Sequence, residues 1–203
     1  MRLAVHEIEK CLPARLTVPG LSEHDFPELC EQFPDCTLEY TSDGEVIVMP
    51  PTDPETSKKV PEVGAQLRNW SRSEGRGCAV GSDGEFFLPG GARRSPDAAW
   101  FASDDRRAAA RQEGKRFPSF APDFVIEVHS PGQRARPLRE KMDEYMANGV
   151  QPGWLIDRVE RTITIYRHGP GTAHEPEILF NPPSVRGEGP VEGFVPDTTD
   201  VPR

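Results

Sequence analysis

The run Pro122-Asp-Phe-Val-Ile-Glu-Val-His129 constrains this chain more than any other stretch. Its β-branched and aromatic residues suit a buried strand, yet it carries a carboxylate, Glu127, near its far end. An ionised carboxylate in a low-dielectric interior is costly unless something neutralises it. A second apolar run, Ser95-Pro-Asp-Ala-Ala-Trp-Phe101, carries another acid, Asp97. If the two runs pair in one sheet, the two carboxylates meet at one edge of it. Two oxygen ligands on rigid strands suit a hard divalent cation such as magnesium. That combination points to metal-assisted phosphodiester chemistry.

The bulk of the chain narrows the setting. Its 203 residues fit one domain with a sizeable core. With 22 Pro and 18 Gly, a loop-rich α/β domain is expected rather than a helical bundle. No apolar run approaches the length of a membrane span, and residues 1–10 lack the apolar centre of a signal peptide. The expectation is a cytoplasmic protein. Cys11, Cys30, Cys36 and Cys78 show no zinc-type spacing, so neither zinc nor disulfides are expected. The net charge of −9 argues against a general nucleic-acid coat but leaves room for a local basic patch. Two clusters qualify: Arg134, Arg136, Arg139 and Lys141 after Glu127, and Arg106, Arg107, Arg111, Lys115 and Arg116 before it. Solvated surface is the alternative for both.

Periodicity and turn signals divide the chain. Residues 1–20 read as a leader of uncertain order, residues 21–197 as one domain, and residues 198–203 as a tail. A short helix is expected over 21–33, with Ser22 as its N-cap. A hairpin follows, Leu38–Tyr40 and Glu45–Met49, around Ser42-Asp43-Gly44. A helix over 57–73 carries Val60, Val63, Leu67 and Trp70 on one stripe. Strands are expected at 78–81, 85–88, 97–101 and 123–129, with a charged excursion over 102–119. A helix over 137–148 stops at Asn148-Gly149, and strands at 152–157 and 162–166 follow. Short apolar pieces at 178–180 and 191–195 close the chain. This order suits a central mixed sheet flanked by helices.

Alternation along a strand puts Glu127 and His129 on one face. In the next helix, Lys141 falls on the stripe formed by Leu138, Met142 and Tyr145. A lysine there either snorkels outward, pairs with Glu140, Asp143 or Glu144, or reaches a carboxylate below.

These segments together resemble a known family. Asp43-Gly-Glu-Val-Ile-Val-Met-Pro-Pro-Thr52, Ser95-Pro-Asp-Ala-Ala-Trp100, Ala121-Pro-Asp-Phe-Val-Ile-Glu-Val-His-Ser-Pro131, Leu138-Arg-Glu-Lys-Met-Asp-Glu-Tyr-Met-Ala-Asn-Gly149 and Gly153-Trp-Leu-Ile-Asp157 carry the likeness. It covers residues 16 to 197 and is to the Uma-two family, described as restriction endonucleases of the PD-(D/E)xK superfamily. The resemblance implies a restriction-endonuclease-like fold and Mg2+- or Mn2+-dependent hydrolysis of DNA, with Asp97 and Glu127 as metal ligands. The superfamily lysine would stand two residues after the second acid. Here that position is His129, and the resemblance implies that the role has moved to Lys141. Glu62 matches an acid that some members take from the first core helix, although Val60 replaces a polar residue of relatives nearby. Glu39 is a further acid within reach of the site. A homodimer is expected. The alternative is a non-catalytic binding or regulatory protein on the same scaffold, and a third reading has the strand acids neutralised by arginines.

Overall fold

The computed structural model describes residues 5–19, 21, 25–51, 54–102, 120–131, 133–167 and 175–200. The expected excursion over 102–119, with its five basic residues, lies almost wholly outside them, as does the proposed cap at Ser22.

The element order begins with helix α1 (Val5–Glu9), strand β1 (Ala14–Thr17), helix α2 (Phe26–Glu31) and the hairpin β2 (Thr37–Tyr40) and β3 (Glu45–Met49). Gly44 takes a φ of 87° in the hairpin turn, a left-handed conformation that glycine adopts without steric cost. Helix α3 (Pro54–Glu74) leads to β4 (Gly77–Gly81), the short strands β5 (Phe86–Phe87) and β6 (Arg93–Arg94), and β7 (Ala98–Ala102). Then come β8 (Phe124–His129), helix α4 (Ala135–Ala147), β9 (Gly153–Asp157), β10 (Thr162–Tyr166) and β11 (Glu177–Phe180). Gly189–Val191 forms a single 3-10 turn ahead of the apolar piece at 191–195.

The strands form two sheets. The first, in the order β1-β3-β2-β6-β5, is antiparallel throughout. It closes on a small core of Val18, Phe26, Leu29, Phe33, Leu38, Val46 and Val48. The stretch read as a leader thus contributes the edge strand β1, whose four residues alternate between half-buried and exposed. Four residues beside Pro13 are too few for periodicity to register.

The second sheet has the order β11-β10-β9-β8-β7-β4. Only β8 and β9 run parallel, joined by α4 as the crossover. Helix α3 sets Val63 and Leu67 against one face, over Ala98, Trp100, Phe124 and Ile126. The C-terminal segment adds Val185, Val191 and Phe194 to the same layer. Helix α4 covers the other face with Met142 and Tyr145, over Ala99, Phe101, Val125 and Leu155. Sandwiched between layers, all six residues of β8 are buried, which is why that run shows no polar alternation. Among the described residues no helix is long and apolar enough to cross a membrane, and all four cysteines are free thiols.

Packing of the Trp100 ring of β7 over the start of β4 depends on Gly77. A Cβ built there would overlap the Trp100 ring and the Phe101 carbonyl oxygen. Gly77→Ala is therefore expected to lose about 1–3 kcal/mol of stability, read as a lower urea midpoint with an unchanged slope.

Candidate active site

Strands β7 and β8 pair antiparallel, with Ala98 opposite Ile126 and Trp100 opposite Phe124. The next position outward sets Asp97 beside Glu127. Ala99 and Phe101 of β7, and Val125 of β8, face α4; alternation puts Asp97 and Glu127 on that same side. The β8 backbone holds Asp97 directly, Val128 N–H donating to Oδ2 at 2.7 Å.

Lys141 reaches down from α4 to these acids. It lies at i+3 from Leu138 and i+4 before Tyr145, on the helix's inward stripe, and is itself buried. Its Nζ lies 2.8 Å from Glu127 Oε1 and 2.6 Å from Glu39 Oε1, and donates to the Ser95 carbonyl at 3.0 Å. An ammonium has three donors, so this lysine is saturated. Of the alternatives open in the sequence, the helix neighbours find other partners. Glu140 pairs with Arg15 and Arg136, and Glu144 with Arg94.

Around this contact lies a wider network. Arg94 of β6 donates from Nη1 to Glu39 Oε2 at 2.9 Å and from Nε to Glu144. Glu144 also accepts from the Ser42 amide at 3.0 Å and the Ser42 hydroxyl at 2.7 Å. Ser95 N–H donates to Glu39 Oε1 at 3.0 Å. The Tyr145 hydroxyl donates to Glu127 Oε1 at 3.1 Å. Four carboxylates thus face two cations, in a site where Glu127 is only 2% exposed.

The electrostatics follow from that imbalance. Burial pushes the Glu127 carboxyl up; Lys141 opposes this, Asp97 and Glu39 add to it, and its pKa rises to about 8. Asp97 is likewise raised by burial, against the Lys141 charge and the Val128 N–H. Glu39 is the exception: burial raises it, but the Lys141 and Arg94 charges prevail and hold it below the usual carboxylate range. Burial also works against the Lys141 charge, and the Glu127 and Glu39 carboxylates overcome it, raising the ammonium's pKa.

His129, two residues beyond Glu127, is engaged elsewhere. Its Nε2 meets the Gln133 carbonyl at 3.0 Å. Its Nδ1 lies 2.9 Å from Asp157 Oδ2, without the alignment of a hydrogen bond. Glu62 is exposed on α3, the helix that packs on the opposite face of the sheet from α4. The structure therefore brings Asp97, Glu127, Lys141 and Glu39 together and leaves His129 and Glu62 apart from them. Arg94, Glu144 and Tyr145 are parts of the network that sequence reasoning did not assign to it. Hints to them were Tyr145's place four residues after Lys141, Glu144 among the lysine's possible partners, and the reading of strand acids neutralised by arginines. A cleft of about 900 Å³ opens on the Arg94–Glu144 side, between the β2–β3 turn and α4. Arg15, Ser42, Glu45 and Glu140 also line it, whereas Asp97 and Glu127 do not.

Because the folded-state pKa of Glu127 stands above its ordinary value, its neutral form favours folding. That contribution is complete below about pH 4.5 and disappears as pH rises through about 8. Glu127→Gln removes the titration. Its stability relative to the parent is expected to grow between pH 5 and pH 8, by on the order of a few kcal/mol. Thermal melts across that range read it, and a pH-independent difference between the two proteins would contradict the assignment.

Comparison with known proteins agrees with this architecture. No curated protein matches the chain. A crystal structure from Anabaena variabilis ATCC 29413, described as "a putative nuclease belonging to DUF820", is similar at 23% sequence identity with a TM-score of 0.66. The likeness covers 84% of this chain and 89% of that one, and at this identity it establishes the fold. A family model described as "Putative restriction endonuclease" matches residues 24–199. The chain therefore belongs to the Uma2 family of nucleases and has the restriction-endonuclease-like core that the family resemblance implied.

Proposed function

We propose that this protein is a divalent-metal-dependent endonuclease that hydrolyses DNA phosphodiester bonds, acting as a homodimer in the cytoplasm. The observation that carries the reading is the pairing of Asp97 and Glu127 on adjacent strands with the Lys141 ammonium 2.8 Å from Glu127. Family membership supports it.

The donor set fits a hard cation. Among the described residues no group of three or more His, Cys, Asp or Glu side chains is arranged as a metal site. Magnesium, however, is commonly held by one or two carboxylates, with water and substrate phosphate completing its shell. Asp97 and Glu127 would supply those carboxylates. A bound Mg2+ or Mn2+ contributes neutralisation of phosphate charge and a lowered pKa for a bound water.

The chain's own groups do the rest. Asp97 is fixed by the Val128 amide, and Glu127 by the Tyr145 hydroxyl. Lys141 keeps its proton at working pH because its carboxylate neighbours favour the charged form. Its role is to orient the attacking water or stabilise charge growing on the phosphate. Since three acceptors occupy it, it must release one of them to do so. Glu39, locked by Arg94 and the Ser95 amide, keeps the ammonium in place meanwhile. His129, facing Asp157 and Gln133, is not assigned this role, and neither is Glu62.

The saturation of Lys141 also favours a second reading, a non-catalytic member that retains the scaffold. Metal binding separates the two. The Glu127 pKa of about 8 favours the protonated carboxyl at pH 7, so manganese entry is expected to release protons at pH 7 and fewer as pH rises above 8. Calorimetric titration in two buffers of different ionisation enthalpy measures that release. Binding with this release, lost in Glu127→Ala, supports the nuclease. Absence of binding in the parent supports the scaffold. DNA cleavage is expected to fall roughly a hundred- to a thousand-fold in Asp97→Asn and Glu127→Gln, on the order of the loss seen when charge stabilisation is removed from an active site. Near-parental cleavage by either variant would refute the proposal.

A further inference from the structure

The sheet face that bears the candidate site continues beyond α4. The strand registers trace two rows across it. Glu127 lies opposite Leu155, Leu155 opposite Thr164, and Thr164 opposite Ile178. His129 lies opposite Asp157, Asp157 opposite Thr162, and Thr162 opposite Phe180. Directly paired residues project from the same face. Ile178 and Phe180 therefore stand on the side that carries Glu127 and His129.

At this end no described helix or loop buries the face. Phe180 is 79% exposed and Ile178 53% exposed. Phe180 is the one exposed aromatic side chain among the described residues. It sits on an edge strand, where an uncovered apolar side chain invites aggregation, and its ring contributes to none of the three cores. Exposed arginines lie at the same end of the sheet. Arg161 precedes β10, and its carbonyl accepts from the Asn181 amide just past Phe180. Arg134 precedes α4, close after the end of β8. The one acid on β11, Glu177, is paired with Arg167 at 2.6 Å.

We infer that Phe180 is a stacking platform for an unpaired base of the substrate strand, so that the site acts on single-stranded or locally opened DNA. This deepens the proposed nuclease function and rests on it. Three strand spacings and two residues along the strand separate Phe180 from Glu127, and a fourth spacing reaches Asp97, roughly 16 and 20 Å. That corresponds to about five or six stacked nucleotides at roughly 3.4 Å each, and fewer in an extended strand. A base on Phe180 would thus belong to the same strand as a phosphate at Asp97 and Glu127. A fully paired duplex keeps its bases within the stack and offers none to the ring. Stacking on an aromatic side chain is available to every base, so the preference would be for strandedness rather than sequence.

Anisotropy of a labelled single strand and of its duplex tests this, with calcium present as a hard cation for the carboxylates. The parent is expected to bind the single strand more tightly. Phe180→Ala and Phe180→Leu should each weaken that binding roughly five- to a hundred-fold, while Phe180→Tyr and Val195→Ala retain it. Melting temperatures of all four should match the parent, since neither side chain is buried. Parental affinity in Phe180→Leu would overturn stacking, and a parent that prefers the duplex would overturn the substrate class. A mass by light scattering that halves in Phe180→Ala would assign the patch to a second copy of the chain instead. In each of these outcomes nuclease function stands. If the parent bound neither form, the inference and the proposed function would fall together.

Discussion

Beside the apolar contact of Phe86 with Phe101, one buried ammonium ties this molecule's two sheets together at the candidate site. Lys141 of α4 contacts Glu39 from the first sheet and Glu127 from the second. Arg94 extends the tie, joining Glu39 to Glu144 on the same helix. Taking these charges out of water is expensive, and mutual attraction recovers the cost only with good geometry and few unsatisfied atoms. Here every donor of Lys141 has an acceptor, and Glu39 accepts from Arg94 and Ser95 as well as from the lysine. A hydrophobic contact would join the same elements more cheaply. Retention of paired charge at this point fits a site that must hold acids ready rather than a joint that must only be strong.

The acids remain in excess of the cations, and that excess gives the site its chemistry. A carboxyl with a pKa of about 8 inside a sheet is a group stabilised only in part by its surroundings. Strongly perturbed carboxyls in such surroundings are characteristic of functional sites. The layer structure explains why the perturbation falls on Glu127. The α3 face of the sheet is packed with aromatic and aliphatic side chains. The α4 face is apolar at Leu138 and Met142 and polar beside them, where Lys141 and the Tyr145 hydroxyl meet Glu127.

Much of this was legible from single residues. An acid in an apolar run marked Glu127, and Pro96-Asp97 ahead of a second run marked its partner. A lysine on the apolar stripe of a helix marked Lys141. These signals survive because each is a charged residue in a position that hydropathy assigns to the interior. Glu39 carried a weaker signal, since β2 is short and its neighbours Thr37 and Tyr40 are polar or amphipathic. Arg93 and Arg94 carried none. Both are buried in a two-residue strand, and a pair of arginines in a Gly- and Pro-rich stretch reads as surface. His129 looked equivalent to a catalytic position by spacing, and only its neighbours on β9 and in the following loop turn it aside.

By itself the sequence determined the second sheet's strands β4 and β7 to β10, the helix that crosses between its parallel strands, and the placement of Asp97, Glu127 and Lys141. Each of these depends on local periodicity, on turn residues such as Gly44 and Gly149, or on a charge out of place in an apolar stretch. The tertiary structure alone decided the first sheet's edge strand, the arginine between Glu39 and Glu144, the partners of His129, and the exposed strand edge at Phe180. Those depend on pairings between residues tens of positions apart, including Arg94 with Glu39 and Ser42 with Glu144. No local pattern encodes such partners, because the energy that selects them exists only once the layers have packed.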